Sequence, residues 1–82
     1  MAMRVVGAVV TNHEGWSEAQ ILVVENDTVA LVEMEHEWED RDGSTTVLYA
    51  QPGFVEGDDL CDRIYAADGY DEHVNTKLKA IV

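Results

Sequence analysis

Positively charged residues are scarce in this sequence of 82 residues, which has 5 Lys and Arg against 17 Asp and Glu. Proteins that bind nucleic acids directly neutralise phosphates with Lys and Arg, so the formal net charge of −12 argues against a direct nucleic-acid binder. An anionic membrane surface is disfavoured for the same reason. The charge favours a basic partner, which is most often another protein.

Cysteine and long apolar runs are also nearly absent. The single cysteine, Cys61, cannot form an internal disulfide, so nothing in the sequence points to an oxidising compartment. The apolar run Val5–Val10 is shorter than the apolar region of a signal peptide and far below a membrane span of ~20 residues. We therefore interpret this run as a strand of a cytoplasmic protein and expect both of its faces to be buried.

Metal-binding and catalytic motifs are missing as well. The potential metal ligands His13, His36, His73 and Cys61 are scattered singly, without the paired spacing of zinc sites. The segment 40–43 (Asp-Arg-Asp-Gly) has its glycine too early for an EF-hand calcium loop, although any dense acidic surface binds cations weakly. The six glycines are isolated, which excludes a glycine-rich phosphate loop. We expect no enzyme activity, no cofactor and no specific metal site.

What the sequence does contain is a series of short β-type segments separated by turns. Strands are predicted over residues 3–11, 19–25, 28–39 and 45–50. Asn26 and Asp27 suit a two-residue hairpin turn, because both residues tolerate a positive φ. Pro52 ends the sheet, because proline donates no hydrogen bond to a neighbouring strand. The pattern predicts an antiparallel meander of about four strands.

The hydrophobic period changes to a helical one after Pro52. Helical spacing relates Leu60, Cys61, Ile64 and Tyr65, and Gly69 is expected to stop this helix. Residues 71–82 are ambiguous between helix and strand, and we favour a helix whose apolar stripe consists of Tyr70, Val74, Leu78 and Ile81. The sequence thus predicts an α+β fold, with the sheet packed against one or two short C-terminal helices in one compact domain over residues 1–82.

Most of the negative charge lies in the middle of the chain, because residues 33–72 contain thirteen of the acids and only two arginines. Acidic and apolar residues alternate over residues 32–39, and successive side chains of a strand point to opposite faces. One face therefore carries a row of carboxylates spaced ~6–7 Å apart, formed by Glu33, Glu35, Glu37 and Glu39. A two-residue hairpin places Glu33 opposite Gln20 and Glu35 opposite Glu18, so no cation of the neighbouring strand offsets the row.

This glutamate row imitates a line of phosphates on a rigid strand, which is our functional interpretation of it. A solvated face that keeps the protein soluble, or adaptation to high salt, would also explain the acids. The residues predicted to bind a partner are Glu33, Glu35, Glu37, Glu39, Asp40, Asp42, Glu56, Asp58, Asp59 and Asp62. Trp16, placed in a polar loop, is expected either to cover the open end of the sheet or to anchor a partner.

In size, charge and layout, with the acidic ladder from Glu33 to Asp42 and the cluster from Glu56 to Asp62, the chain resembles small acidic inhibitors of phages and mobile elements. These include anti-CRISPR proteins, anti-restriction proteins and the uracil-DNA glycosylase inhibitor. The resemblance implies a viral DNA mimic that binds the cationic nucleic-acid-binding surface of a host protein in the host cytoplasm. The alternatives are an intracellular module that docks a basic protein without mimicry and a salt-adapted domain of unrelated function. The oligomeric state stays open between monomer and dimer.

Overall fold

The computed structural model describes residues 2–39 and 43–78 and contains one antiparallel sheet whose strands follow chain order. The strands are β1 (Arg4–Asn12), β2 (Trp16–Glu25), β3 (Thr28–Glu37) and β4 (Gly43–Ala50). The helical segments that follow are α1 (Leu60–Tyr65), α2 (Tyr70–His73) and a short 3-10 helix (Asn75–Lys77). The predicted α+β fold, a four-stranded meander followed by short C-terminal helices, is confirmed. None of the helices in the described ranges is long and apolar enough to cross a membrane.

The turn between β2 and β3 sets the register of the central hairpin. Asn26 and Asp27 have φ values of 52° and 61°, in the left-handed region that these two residue types tolerate best after glycine. The strands that leave this turn pair Glu25 with Thr28, Gln20 with Glu33, and Glu18 with Glu35. The predicted two-residue turn and the predicted register are both confirmed.

One face of the sheet, which we call the covered face, packs against the helices. Its central side chains are Ile21 and Val23 from β2 and Val32 and Met34 from β3, all of them buried. The helical residues that complete this core are Leu60, Ile64, Tyr70 and Val74. Each fully buried aliphatic side chain contributes about 1.5–3 kcal/mol, so the covered face provides most of the stability. The opposite face, which we call the open face, carries the intervening residues of each strand.

Gly69 holds the start of α2 against β1. Its φ is +86°, and a Cβ at this position would collide with the carbonyl oxygen of Val5. The amide of Val5 donates a hydrogen bond of 2.7 Å to the carbonyl oxygen of Asp68, so the chain before α2 runs beside the sheet edge. Gly69 was expected to stop the preceding helix, whereas α1 ends at Tyr65 and Gly69 caps the next helix.

Arg63 ties the loop that follows β4 to the central hairpin. Its Nη1 donates a hydrogen bond of 2.6 Å to Glu25 Oε1, and its Nη2 donates one of 2.7 Å to the carbonyl oxygen of Val55. Its Nε lies 3.3 Å from Asp59 Oδ1 as an ion pair, although without hydrogen-bond geometry. One side chain of α1 therefore fixes the helix layer, the loop and the hairpin together.

Two expectations about the first half of the chain are wrong. Strand β1 is not buried on both faces, because it is an edge strand and Val9 on its open side is 69% exposed. Trp16 does not lie in a loop: it begins β2, three residues before the predicted start of that strand. The polar pair Ser17 and Glu18 hid this extension, since Ser17 occupies a fully buried position in which a polar side chain is unusual.

The C-terminal segment is helical as far as the structure describes it. Helix α2 and the 3-10 helix together cover most of residues 70–77, which agrees with the favoured helix and not with a strand that begins at residue 76. Leu78 leaves the 3-10 helix in an extended conformation. The predictions for residues 79–82, including Ile81, lie outside the described residues.

Candidate functional site on the open face of the sheet

The open face carries a group of carboxylates at one end of β2 and β3. We call this group the glutamate patch, and it consists of Glu18, Glu33, Glu35 and Glu37. One carboxylate oxygen from each of Glu18, Glu33 and Glu35 lies within 4.8 Å of the other two. The register explains this convergence, because Glu18 and Glu35 are directly opposite and Glu33 is two residues along the same face. Glu33, Glu35 and Glu37 thus lie along one side of β3, as expected, and Glu18 of β2 joins them in a patch over two strands, whereas Glu39 lies beyond the end of β3.

The patch has few cations beside it. Glu35 and Glu37 are exposed and Glu33 is partly buried. The ion pairs within residues 2–39 and 43–78 involve the carboxylates of Glu18, Glu25, Asp59 and Glu72. Glu33, Glu35 and Glu37 form none there. Uncompensated like charges on adjacent strands destabilise the folded state slightly, and they favour any cationic surface that covers them.

His13 and Trp16 form a side wall of the patch. Their rings are stacked, with centroids 4.2 Å apart and planes 17° apart. His13 Nε2 also lies 3.0 Å from Glu18 Oε1, which couples the aromatic pair to the carboxylates. The sequence analysis missed His13 as a site residue. Its position depends on the β1–β2 turn, in which the His13 amide donates a 2.8 Å hydrogen bond to the carbonyl oxygen of Trp16, and no spacing motif signals it.

An open cleft of about 670 Å³ adjoins the patch. Its lining residues are Glu14, Gly15, Trp16, Glu35, His36, Glu37, Gly43 and Ser44. An indole ring beside carboxylates suits a lysine or arginine side chain, since the ring attracts the cation and the carboxylates pair with it. The cleft therefore has the size and chemistry to accept a basic side chain of another protein.

The open face becomes apolar away from the patch. Exposed apolar side chains there include Val9, Leu22 and Tyr49, which are 69%, 39% and 60% exposed. Leu31 joins them, because it pairs with Leu22 on one side and Tyr49 on the other. A contiguous apolar area next to charged groups is typical of surfaces that bind other proteins.

The structure separates the two acidic groups that the sequence analysis combined. The second group, which we call the helix-start acids, consists of Glu56, Asp58, Asp59 and Asp62. All four are exposed, but α1 packs on the covered face, so these acids lie on the other side of the sheet from the glutamate patch. Asp59 is also paired with Arg63. Glu39 is exposed beyond the end of β3, and Asp40 and Asp42 lie outside the described residues.

Trp38 and His36 make contacts on the covered face at the same end of the sheet. Trp38 Nε1 donates a hydrogen bond of 2.7 Å to Ser17 Oγ, and Ser17 in turn donates one to Asn12 Oδ1. His36 Nδ1 lies 3.0 Å from the hydroxyl oxygen of Tyr65 in α1. These contacts explain how a polar residue is tolerated at the buried position 17, and they give both side chains a structural role.

Glu18, Glu33 and Glu35 are the residues best placed to hold a metal ion among those described. Three converging carboxylates offer the hard oxygen ligands that Ca²⁺ and Mg²⁺ prefer. Full coordination of either ion takes six or more ligands, so three carboxylates leave most of the shell to water. Weak cation binding by this surface stays a prediction.

Comparisons of the chain with protein-family models, with curated proteins and with solved structures found no match. Three features occur together on the open face: the glutamate patch, the Trp16 cleft and the apolar area beside them. A partner with basic and apolar groups side by side would engage all three.

Proposed function

We propose that this protein is a non-enzymatic inhibitor that binds the cationic nucleic-acid-binding surface of a larger protein and excludes the nucleic acid. The observation that carries the proposal is the convergence of Glu18, Glu33 and Glu35 on an open sheet face, with their oxygens within 4.8 Å. Such a cluster presents a phosphate-binding surface with a dense, rigidly held negative charge. The proposal includes the phage-type role that the anti-CRISPR resemblance implies, in the cytoplasm of a host cell.

Binding would combine steering by charge with burial of apolar surface. Lysines or arginines of the target would pair with the glutamate patch, and one of them would enter the cleft beside Trp16. The apolar area around Leu22 and Tyr49 would be buried at the edge of the contact. Association should be fast and should weaken steeply as salt is raised, because exposed charges are screened beyond about 8 Å at physiological ionic strength.

A charge-matched pair of variants tests which face binds. Glu35→Gln combined with Glu37→Gln removes two charges from the open face, and Glu56→Gln combined with Asp58→Asn removes two from the helix-start acids. Proteins are captured on the immobilised full chain from a nuclease-treated bacterial lysate, and the affinity of the purified captured protein is then measured. We expect the first variant to bind at least about tenfold more weakly and the second to bind like the parent. Equal affinities for the parent and both variants at low salt would contradict the proposal.

A second candidate function is a regulatory module that docks a basic protein without imitating nucleic acid. The exposed apolar residues of the open face favour it, because apolar burial does not require a nucleic-acid site. Competition separates the two candidates. The inhibitor must be displaced as nucleic acid is added to the captured protein, whereas the module would form a ternary complex with both.

A further inference from the structure

The two edges of the sheet differ in how their backbone groups are covered. At the β1 edge, the amide of Val5 donates to the carbonyl oxygen of Asp68 at 2.7 Å. Farther along the same edge, Lys77 Nζ donates to the carbonyl oxygen of Ala8 at 3.4 Å. The C-terminal segment therefore covers β1 near its start and at its middle, and this cover shields it from pairing with another strand.

Among the described residues, the β4 edge is covered at its start, where Cys61 Sγ of α1 donates a 3.7 Å hydrogen bond to the carbonyl oxygen of Gly43. In an antiparallel sheet, successive residues of an inner strand bond alternately to the strand on one side and to the strand on the other. The carbonyl oxygen of Val29 accepts a 2.9 Å hydrogen bond from the amide of Gln51, and the amide of Val29 donates one of 2.9 Å to Gln51 Oε1, so Val29 faces the β4 side.

The odd-numbered residues of β3 therefore bond to β4, for example Glu33 to Thr46. Thr45 and Val47 lie between the bonded residues of β4 and direct their backbone groups outward. Within residues 2–39 and 43–78, no hydrogen bond reaches these outward groups.

Strand β4 is also the part of the sheet with no charge. Its sequence, Gly-Ser-Thr-Thr-Val-Leu-Tyr-Ala, contains neither an acid nor a base in a chain of net charge −12. Half of its eight residues, two Thr, Val and Tyr, are strong β-formers, and Leu48 and Tyr49 are 46% and 60% exposed. Exposed edges usually carry charges, a proline, a bulge or a short strand that prevents pairing with another chain. Strand β4 has eight uncharged residues without proline, and its bulge at Leu48 leaves the stretch from Gly43 to Val47 regular.

We propose that β4 pairs antiparallel with β4 of a second copy of this chain, which joins the two sheets across a two-fold axis. The outward backbone groups of Thr45 and Val47 would bond to the partner strand, and Leu48 and Tyr49 would pack against side chains of the partner. A basic partner strand is a poorer occupant, because β4 offers it no acid to recognise. This dimer does not depend on the proposed inhibitor function.

Repulsion between the two acidic chains does not prevent this pairing. The nearest acids in the sheet are on β3, and in the dimer the two β3 strands are three strand spacings apart, about 14 Å. That distance exceeds the screening length of about 8 Å at physiological ionic strength. An uncharged outer strand is therefore the place where two such chains approach each other at the smallest electrostatic cost.

Sedimentation equilibrium of the full chain tests the dimer directly. The measured mass should rise from 9.1 kDa towards twice that value as the concentration is increased. The useful range is about 1 µM to 1 mM, which brackets the dissociation constants expected of weak and moderate dimers. Raising the salt should tighten the dimer, whereas it should weaken binding to a basic target, so the two proposals fail independently. A monomer mass over the whole range would overturn the dimer proposal.

Two proline variants locate the interface. Thr45→Pro removes an outward N–H from β4, and Val10→Pro removes an outward N–H from the second half of the β1 edge as a matched control. We expect Thr45→Pro to raise the dimer dissociation constant at least about tenfold and Val10→Pro to leave it unchanged. If Thr45→Pro does not fold by circular dichroism, Leu48→Lys places a charge on the same edge and should have the same effect. Val10 packs against the core, so the control variant must also show the circular dichroism of the parent. A dimer that survives the β4 variant, or that is lost in folded Val10→Pro, would overturn the assignment.

Discussion

The two faces of the sheet are made from the same strands but have different roles. Ile21 is fully buried on the covered face, and its neighbour Leu22 is 39% exposed on the open face. The covered face is continuous with the helices and provides the stability, while the open face collects acids that repel one another. A domain gains only a small net stability from folding, so such repulsion is tolerated only because the other face is well packed. The comparison suggests a division of labour between folding and binding.

The difference between the two faces is tested most directly by shortening one side chain on each of them. Ile21→Ala should lower the free energy of unfolding by about 3–4 kcal/mol, because it leaves a cavity at a site with no solvent access. Leu22→Ala should lower it by about 1–1.5 kcal/mol, since 39% of that residue is already in water and its loss leaves no closed cavity. Urea unfolding followed by circular dichroism measures both values. Similar losses for the two variants would show that the open face is covered in solution.

A medium effect is expected where the helix layer is tied to the hairpin. Arg63→Ala removes hydrogen bonds to Glu25 and to the loop carbonyl of Val55, and it leaves the Glu25 carboxylate partly buried without its cation. We expect a loss of about 2 kcal/mol, in the range for charged hydrogen bonds at partly buried sites. Arg63→Lys keeps the charge but not the forked geometry, so it should recover only part of the loss. Full recovery by lysine would show that charge alone matters here.

The smallest effect should be a gain on the open face. Glu33→Gln combined with Glu35→Gln removes like charges on the same side of β3 and should raise the free energy of unfolding by about 0.5 kcal/mol at low salt. The gain should vanish at about 1 M salt, where screening acts within about 3 Å. Glu56→Gln combined with Asp58→Asn serves as the matched control, with no clustered partners on the sheet. A loss of stability in the first variant would mean that the patch carries its own compensating contacts.

The same unfolding curves address salt adaptation. A salt-adapted domain would lose structure in dilute buffer and recover it at molar salt. The core formed by Ile21, Val32 and Ile64 does not depend on salt bridges, so we expect the parent chain to keep its β-sheet circular dichroism in dilute buffer. Partial unfolding there would favour the third interpretation of the acidic composition over both binding functions.

Local patterns predicted the parts of the fold that depend on neighbouring residues. The alternation over residues 32–37 defined the two sides of β3, and the Asn26 and Asp27 turn then fixed which β2 residue lies opposite each glutamate. Both features depend on the geometry of residues that are close together in the sequence, so the sequence alone predicts them. The pairing of Glu18 with Glu35 was predicted for this reason.

The misplaced features depend on packing between distant segments. Strand β1 has the composition of a buried strand, but its place at the sheet edge exposes Val9, and composition does not encode strand order. The polar residue Ser17 interrupted the apolar alternation that would have extended the prediction of β2 to Trp16. Its buried hydroxyl is satisfied by hydrogen bonds with Asn12, across the β1–β2 turn, and with Trp38, which is distant in sequence. The separation of the two acidic groups could have been predicted from the sequence, because a helix that covers Met34 must lie on the face of the sheet opposite to Glu33 and Glu35.

The two tryptophans give this protein a pair of separate optical reporters. Trp38 is held on the helix side of the sheet by its hydrogen bond to Ser17, so its fluorescence should follow unfolding. Trp16 lies against His13 beside the carboxylates, so its fluorescence should change when a molecule occupies the cleft. Since the sequence contains two tryptophans in total, a Trp16→Phe variant and a Trp38→Phe variant each leave one emission signal. Folding and ligand contact can then be followed in the same cuvette without an added dye.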